Sequence, residues 1–81
     1  EPHALIARLQ SEGTFASARS LITIDGVRAE YADGFGLARP SNTTPVIVLR
    51  FEAETEAALT RIKNEFRDAL TALKPDIRLP F

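Results

Sequence analysis

Apolar and polar residues alternate along this chain with a period that changes twice. Between Pro2 and Gln10, Leu5, Ile6 and Leu9 recur at helical spacing, which predicts a short amphipathic helix. Pro2 suits its first position and Gly13 its stop. From Leu21 the period falls to two. Leu21-Ile22-Thr23-Ile24 reads as a strand, Asp25-Gly26 as a two-residue hairpin turn, and Val27-Arg28-Ala29-Glu30-Tyr31 as the returning strand. Asp33-Gly34 predicts a second turn, with Phe35–Arg39 as the third strand of a meander. Pro45–Phe51 predicts a fourth strand. It is apolar on both faces, with Ile47, Leu49 and Phe51 on one and Val46 and Val48 on the other, so a central place in the sheet is expected.

Helical spacing returns from Thr55 to Leu73, where Leu59, Ile62, Phe66, Leu70 and Leu73 make one stripe. Glu54 and Glu56 near its start and Lys74 at its end suit the helix dipole, and Pro75 stops it. The predicted fold is α+β: a two-layer sandwich with a mostly antiparallel four-stranded sheet and helices on one face. No repeat or internal linker divides residues 1–81, so they form a single domain.

Composition narrows the function. The 81 residues are 44% hydrophobic and 26% charged, the balance of a globular chain. Ten Lys and Arg against eleven Asp and Glu leave a net charge of -1. There is thus no basic field for nucleic acid or for anionic lipid. Five Phe and one Tyr also argue against an aromatic RNA-binding sheet. Zero Cys excludes disulfides and cysteine zinc sites. The longest apolar run, Val46-Ile47-Val48-Leu49, is far shorter than the roughly 20 residues of a membrane span. The chain holds no Met and begins at Glu1, so a C-terminal piece of a longer protein is expected.

Candidate chemistry concentrates in Arg39-Pro40-Ser41-Asn42-Thr43-Thr44-Pro45. Between two strands it gathers a guanidinium, hydroxyls, an amide and backbone N–H groups, which is the donor set a phosphate needs. Pro40 and Pro45 restrain both ends. On chemistry alone the segment is either a phosphate site or an ordinary turn-rich connection. His3 is the only histidine and reads as a solvated helix residue. Asp25 and Asp33 read as turn formers, Glu52, Glu54 and Glu56 as a solvated face, and Arg28 and Arg50 as strand residues paired with carboxylates. Gly34-Phe35-Gly36 lacks the strand-then-helix setting of a dinucleotide fingerprint. No acid, base and nucleophile set is present, so these residues are expected to contribute no catalytic group.

Taken in order, Thr23-Ile24-Asp25-Gly26-Val27-Arg28, Gly34-Phe35-Gly36-Leu37, the loop from Arg39 to Pro45, and Leu49-Arg50-Phe51-Glu52 resemble the C-terminal domain of the α-D-phosphohexomutases. The likeness spans nearly the whole chain, through the ending Leu79-Pro80-Phe81. Within that superfamily it is nearest to bacterial phosphomannomutase/phosphoglucomutase. The phosphoglucosamine mutase branch usually carries Gly where Asn42 stands here.

That resemblance implies a TATA-binding-protein-like fold and a place as the last domain of a four-domain, cytoplasmic isomerase of carbohydrate metabolism. Such enzymes interconvert hexose 1-phosphate and hexose 6-phosphate, of mannose or glucose, through a bisphosphorylated sugar. It implies substrate phosphate binding by Arg39, Ser41, Asn42, Thr43 and Thr44, with Pro40 at a variable position. The phosphoserine and the Mg²⁺ ligands are implied to lie in other domains of the parent chain, leaving no cofactor here. The implied partners are a phosphosugar and those other domains, with no nucleic acid and no membrane. The family domain also has a strand before the first helix, expected to be missing here. The competing reading is a small ligand-sensing or protein-interaction module with no part in catalysis.

Overall fold

The computed structural model describes residues 1–81. Helix α1 runs Pro2–Glu12, strands β1 Ser20–Ile22, β2 Val27–Tyr31, β3 Gly34–Pro40 and β4 Ile47–Ala53 follow, and helix α2 runs Glu56–Leu73. The strands form one antiparallel sheet in the order β1-β2-β3-β4. Both helices pack on the same face, as the two-layer expectation requires.

Local chemistry explains the helix ends. The Thr55 hydroxyl caps α2 by accepting from Ala58 N at 3.1 Å. Gly13 ends α1, its N–H bonding to Leu9 O at 3.0 Å. Leu5, Ile6 and Leu9 are the buried stripe of α1, as the spacing predicts. In α2 the buried residues are Ala58, Ile62, Phe66, Ala69 and Leu70. Leu59 departs from expectation and is only half-buried. The stripe continues from Ile62 back to Ala58 in a four-residue step, and Leu59 lies about 100° further round the helix.

Pairing sorts the sheet into two faces. Leu21, Ala29, Gly36 and Phe51 align across the four strands on the helix-covered side. Their neighbours Ile22, Arg28, Leu37 and Arg50 align on the open side. Ala29 and Ala38 are fully buried, and Phe66 sits among the rings of Phe15, 4.7 Å away, and Phe51, 5.2 Å away. On the open face Arg28 pairs with Glu30 at 2.9 Å and Arg50 with Glu52 at 2.6 Å, as their strand positions suggested.

Several boundaries differ from the sequence reading. The first strand stops at Ile22 rather than Ile24, because the ladder ends at the Ile22–Arg28 pair. Asp25-Gly26 is therefore not a two-residue hairpin turn. Such a turn of the preferred type needs positive φ at both central residues, and only Gly26 has it, at 92°. The loop is instead held from outside, by Gln10 of α1. Its Nε2 donates to Thr23 O and to Gly26 O, both at 3.0 Å.

The second turn falls on Ala32-Asp33, with Gly34 already paired to Tyr31. Gly34 is needed one place later than expected, because a Cβ there would lie 2.2 Å from Glu52 O of the neighbouring strand. The fourth strand begins at Ile47, not Pro45, and stands at the sheet edge rather than in its centre. Its inner face is covered by the helix layer and by the chain end: Phe51 meets Phe66, and Phe81 lies 5.0 Å from Phe51. A strand can thus be apolar at an edge when something other than a strand covers it.

Candidate functional site

Strand β3 ends at Pro40, and the chain then turns through Ser41–Val46 into β4. Ser41 N donates to Val46 O at 2.9 Å and Val46 N to Thr44 O at 2.8 Å, which closes the loop across its base. Inside it, Ser41 Oγ accepts from Thr43 N at 3.3 Å, from Thr44 N at 3.3 Å and from Thr44 Oγ1 at 3.1 Å. Thr43 Oγ1 lies 3.5 Å from the same oxygen. One hydroxyl oxygen therefore gathers two backbone N–H groups and a threonine hydroxyl at a single point. An incoming anion oxygen could take the same donors, since successive N–H groups converging in a turn form an anion-accepting nest.

Ser41, Asn42, Thr43 and Thr44 come together as one wall of a concavity of about 300 Å³. Glu1, Pro2 and His3, at the start of α1, and Pro45 complete its lining. The Glu1 carboxylate caps the helix by accepting from His3 N at 2.7 Å. That N–H holds the Glu1 carboxyl below its usual range, with slight desolvation opposing it at this exposed position.

Arg39 is placed differently from the other four. It pairs with Val48 on the open side of the sheet and does not line the concavity. It takes part in none of the ion pairs, so its guanidinium is uncommitted. Its root is held by Gly26, where a Cβ would come within 2.7 Å of Arg39 Cβ and 2.3 Å of Ala38 O. Gln10, by bonding Gly26 O, and Gly26, by its close approach, thus fix the backbone that carries Arg39. The Asp-Gly pair was visible in sequence, though as a turn former. Nothing in the local pattern marked Gln10.

The other sequence candidates fall elsewhere. Asp33 lies at the far end of β3 and is gripped by both terminal nitrogens of Arg61, at 2.9 and 2.6 Å. Arg61 Nε also reaches Ser17 Oγ at 3.1 Å, and Ser17 Oγ donates to Glu65. Tyr31 OH donates to Glu65 Oε1 at 3.1 Å. This network ties the 14–19 segment, the β2–β3 turn and α2 together, at the opposite end of the sheet from the Ser41–Pro45 loop. No three His, Asp or Glu side chains converge as a metal site would require. No helix is long and apolar enough to cross a membrane.

An α+β sandwich with a converging donor loop between its last two strands defines the class. Residues 3–69 match the family described as phosphoglucomutase/phosphomannomutase, C-terminal domain, and the chain belongs to that family. It is 53% identical over 78 residues to a phosphomannomutase/phosphoglucomutase of Pseudomonas putida and 50% identical over 78 residues to a phosphoglucomutase of Neisseria meningitidis. Each alignment covers 96% of this chain and 17% of the relative. A solved structure of a phosphoglucomutase/phosphomannomutase family protein from Burkholderia thailandensis superposes with a TM-score of 0.91 at 60% identity. That superposition covers 95% of this chain and 17% of the other. The chain thus spans about a sixth of the length of these relatives. They are mutases, which leaves the sensor or interaction reading without support.

Proposed function

We propose that this domain is the phosphate clamp of a phosphohexomutase that interconverts hexose 1-phosphate and hexose 6-phosphate, of mannose or glucose, through a bisphosphorylated sugar. Arg39, Ser41, Asn42, Thr43 and Thr44 hold the phosphate remote from the reacting end. The observation that carries this reading is the convergence of Thr43 N, Thr44 N and Thr44 Oγ1 on one oxygen, that of Ser41, two residues after an Arg39 that makes no ion pair. In the free loop Ser41 Oγ occupies that point. A phosphate oxygen takes its place among the donors while the Ser41–Val46 bond keeps the base of the loop closed.

Reaction logic explains why such a clamp reads only phosphate. If one catalytic group serves both O1 and O6, the bisphosphate must turn end for end between two transfers. The remote phosphate must be held during each transfer and released in between. Contacts made to a phosphate alone serve either orientation, and their binding energy orients the reacting end. A terminal domain that closes on substrate and opens for the turn meets both needs. The phosphoryl-donating serine, the Mg²⁺ ligands and the sugar-selecting residues belong to other domains of the parent chain, and the parent enzyme works in the cytoplasm.

The test is residue-resolved. Titrating inorganic phosphate and then a hexose phosphate into the 81-residue chain, watched by amide NMR, is expected to move Arg39–Thr44 and leave α2 in place. Affinity of the isolated domain for inorganic phosphate is expected to be millimolar or weaker, about 4 kcal/mol of binding free energy or less. Uniform small shifts, with no cluster at the loop, would remove the basis of the assignment.

A further inference from the structure

Arg39 stands one place beyond the last rung that joins β3 to β2, the Val27–Ala38 pair. On its other flank it is still paired, with Val48 of β4. Where a further β2 rung would be, the backbone of Gly26 takes over. A Cβ on Gly26 would lie 2.7 Å from Arg39 Cβ and 2.9 Å from Arg39 Cα, so the bare glycine packs directly on the root of the cation. Gly26 is buried there at a φ of 92°, which glycine adopts at little steric cost.

The hydrogen bonds that keep Gly26 in place do not come from its own loop. β1 is three residues long and exposed throughout, and Thr23, Ile24 and Asp25 after it are exposed as well. Residues 23–26 make no backbone–backbone hydrogen bond. Both hydrogen bonds that the loop receives come from Gln10 Nε2, which donates to Thr23 O and to Gly26 O at 3.0 Å each. A glutamine amide carries two N–H donors, and here one closes each end of the loop. Leu5, Ile6 and Leu9 seat α1 in the core, so the amide ties the loop to the core through that helix.

We propose that Gln10 is a positioning residue for phosphate recognition: through Gly26 it holds the part of β3 from which Arg39 reaches the phosphate. The inference rests on the phosphate-clamp reading and adds to it a residue from the helix layer. Ordering a long side chain on binding costs entropy, and a fixed root lowers that cost. Arginine gains most from such fixing, because its planar fork forms two bonds at once when presented in one orientation. Gln10 touches neither the phosphate nor the reacting atoms. Its effect on recognition must therefore vanish when Arg39 is gone.

The test is a double-mutant cycle in a complete mutase carrying this domain, read as kcat/KM with glucose 1-phosphate. Gln10→Ala removes both donors and suits an exposed helix position, so α1 persists. Gln10→Glu keeps the side chain's shape and sets an acceptor against two carbonyls. Each should lower kcat/KM about three- to tenfold with Arg39 present, and change it less than about twofold in an Arg39→Ala background. Thermal midpoints supply the contrast, since any stability carried by the two hydrogen bonds is lost equally in both backgrounds. An equal fall in kcat/KM in both backgrounds overturns the proposal, because Gln10 then acts without Arg39. No fall in either background overturns it too, and leaves the clamp standing. A fall with Gln10→Glu alone assigns the effect to the added charge and also overturns it. If Arg39→Ala by itself leaves kcat/KM at the wild-type value, the clamp reading falls and the proposal with it.

Discussion

Gly36 and Phe66 meet so closely that a Cβ on the glycine would lie 2.4 Å from Phe66 Cε1 and 2.9 Å from Cζ. The aromatic ring of α2 thus rests on bare backbone in the middle of β3, the strand that delivers Arg39. Gly36→Ala is expected to push the ring off its seat, at a cost of about 1–3 kcal/mol from overpacking. Phe66→Ala removes the fully buried centre of the core and should cost about 3–5 kcal/mol. Urea unfolding followed by far-UV circular dichroism measures both. A neutral Gly36→Ala would mean the helix can slide over the sheet.

Acid should loosen the far end of the molecule first. The bidentate bond from Arg61 is the largest influence on the Asp33 carboxyl and holds it below its ordinary value of 3.8. A depressed carboxylate contributes stability above its unfolded value and loses it as pH falls through the folded one. The Asp33 contribution is therefore intact at neutral pH and disappears below about pH 4. Asp33→Asn should remove that part of the acid sensitivity, which urea midpoints at pH 3 and pH 6 would reveal. An identical acid slope in the variant would assign the sensitivity to other carboxylates.

Alkaline behaviour can be read from a single group. Tyr31 is the only tyrosine and there is no tryptophan, so ultraviolet difference absorbance reports it alone. Burial, followed by the charge and hydrogen bond of Glu65, pushes its phenol above the ordinary 10.0. Folded protein should therefore ionise Tyr31 later than urea-unfolded protein, and stability should fall as pH rises past about 10, where only the unfolded state ionises. Glu65→Gln should bring the folded midpoint down toward the unfolded one. Coincident folded and unfolded curves would show the phenol to be solvated.

Much of this was legible in the chain because local signals and burial agree. The stripes through Leu9 and Phe66, the stop at Pro75 and the alternation in Val27–Tyr31 each depend on neighbours a few residues away. What escaped depends on distant partners. Gln10 captures Thr23 and Gly26 across more than a turn of structure, and so moves the first hairpin out of its local preference. β4 was read as central because both faces are apolar, yet its cover comes from α2 and from Phe81 at the chain end. Within the loop, residue types announced the donors. Their convergence on Ser41 Oγ is a contact two and three residues along the chain, set by the turn's conformation rather than by residue type.

The ranking of loop substitutions follows from that convergence. Arg39 is the only permanent cation of the loop and can grip two phosphate oxygens at once. A charge-assisted hydrogen bond contributes roughly 1.5–3 kcal/mol, so Arg39→Ala in a complete mutase carrying this domain should weaken phosphosugar affinity by about ten- to a hundredfold. Ser41→Ala and Thr43→Ala remove neutral groups, each expected to cost about 0.5–1.5 kcal/mol. They should nevertheless differ. Ser41 Oγ holds Thr43 N, Thr44 N and Thr44 Oγ1 in place, so its loss also frees the nest and raises the entropy of refolding it around phosphate. Thr43→Ala leaves those bonds intact. The expected order of damage is Arg39, then Ser41, then Thr43, with faster amide exchange at Thr43 and Thr44 in the Ser41 variant alone. If the clamp also orients the sugar during transfer, Arg39→Ala should lower kcat as well as raise KM. Arg39→Ala kinetics matching wild type, in a folded protein, would reduce this loop to a connection between strands.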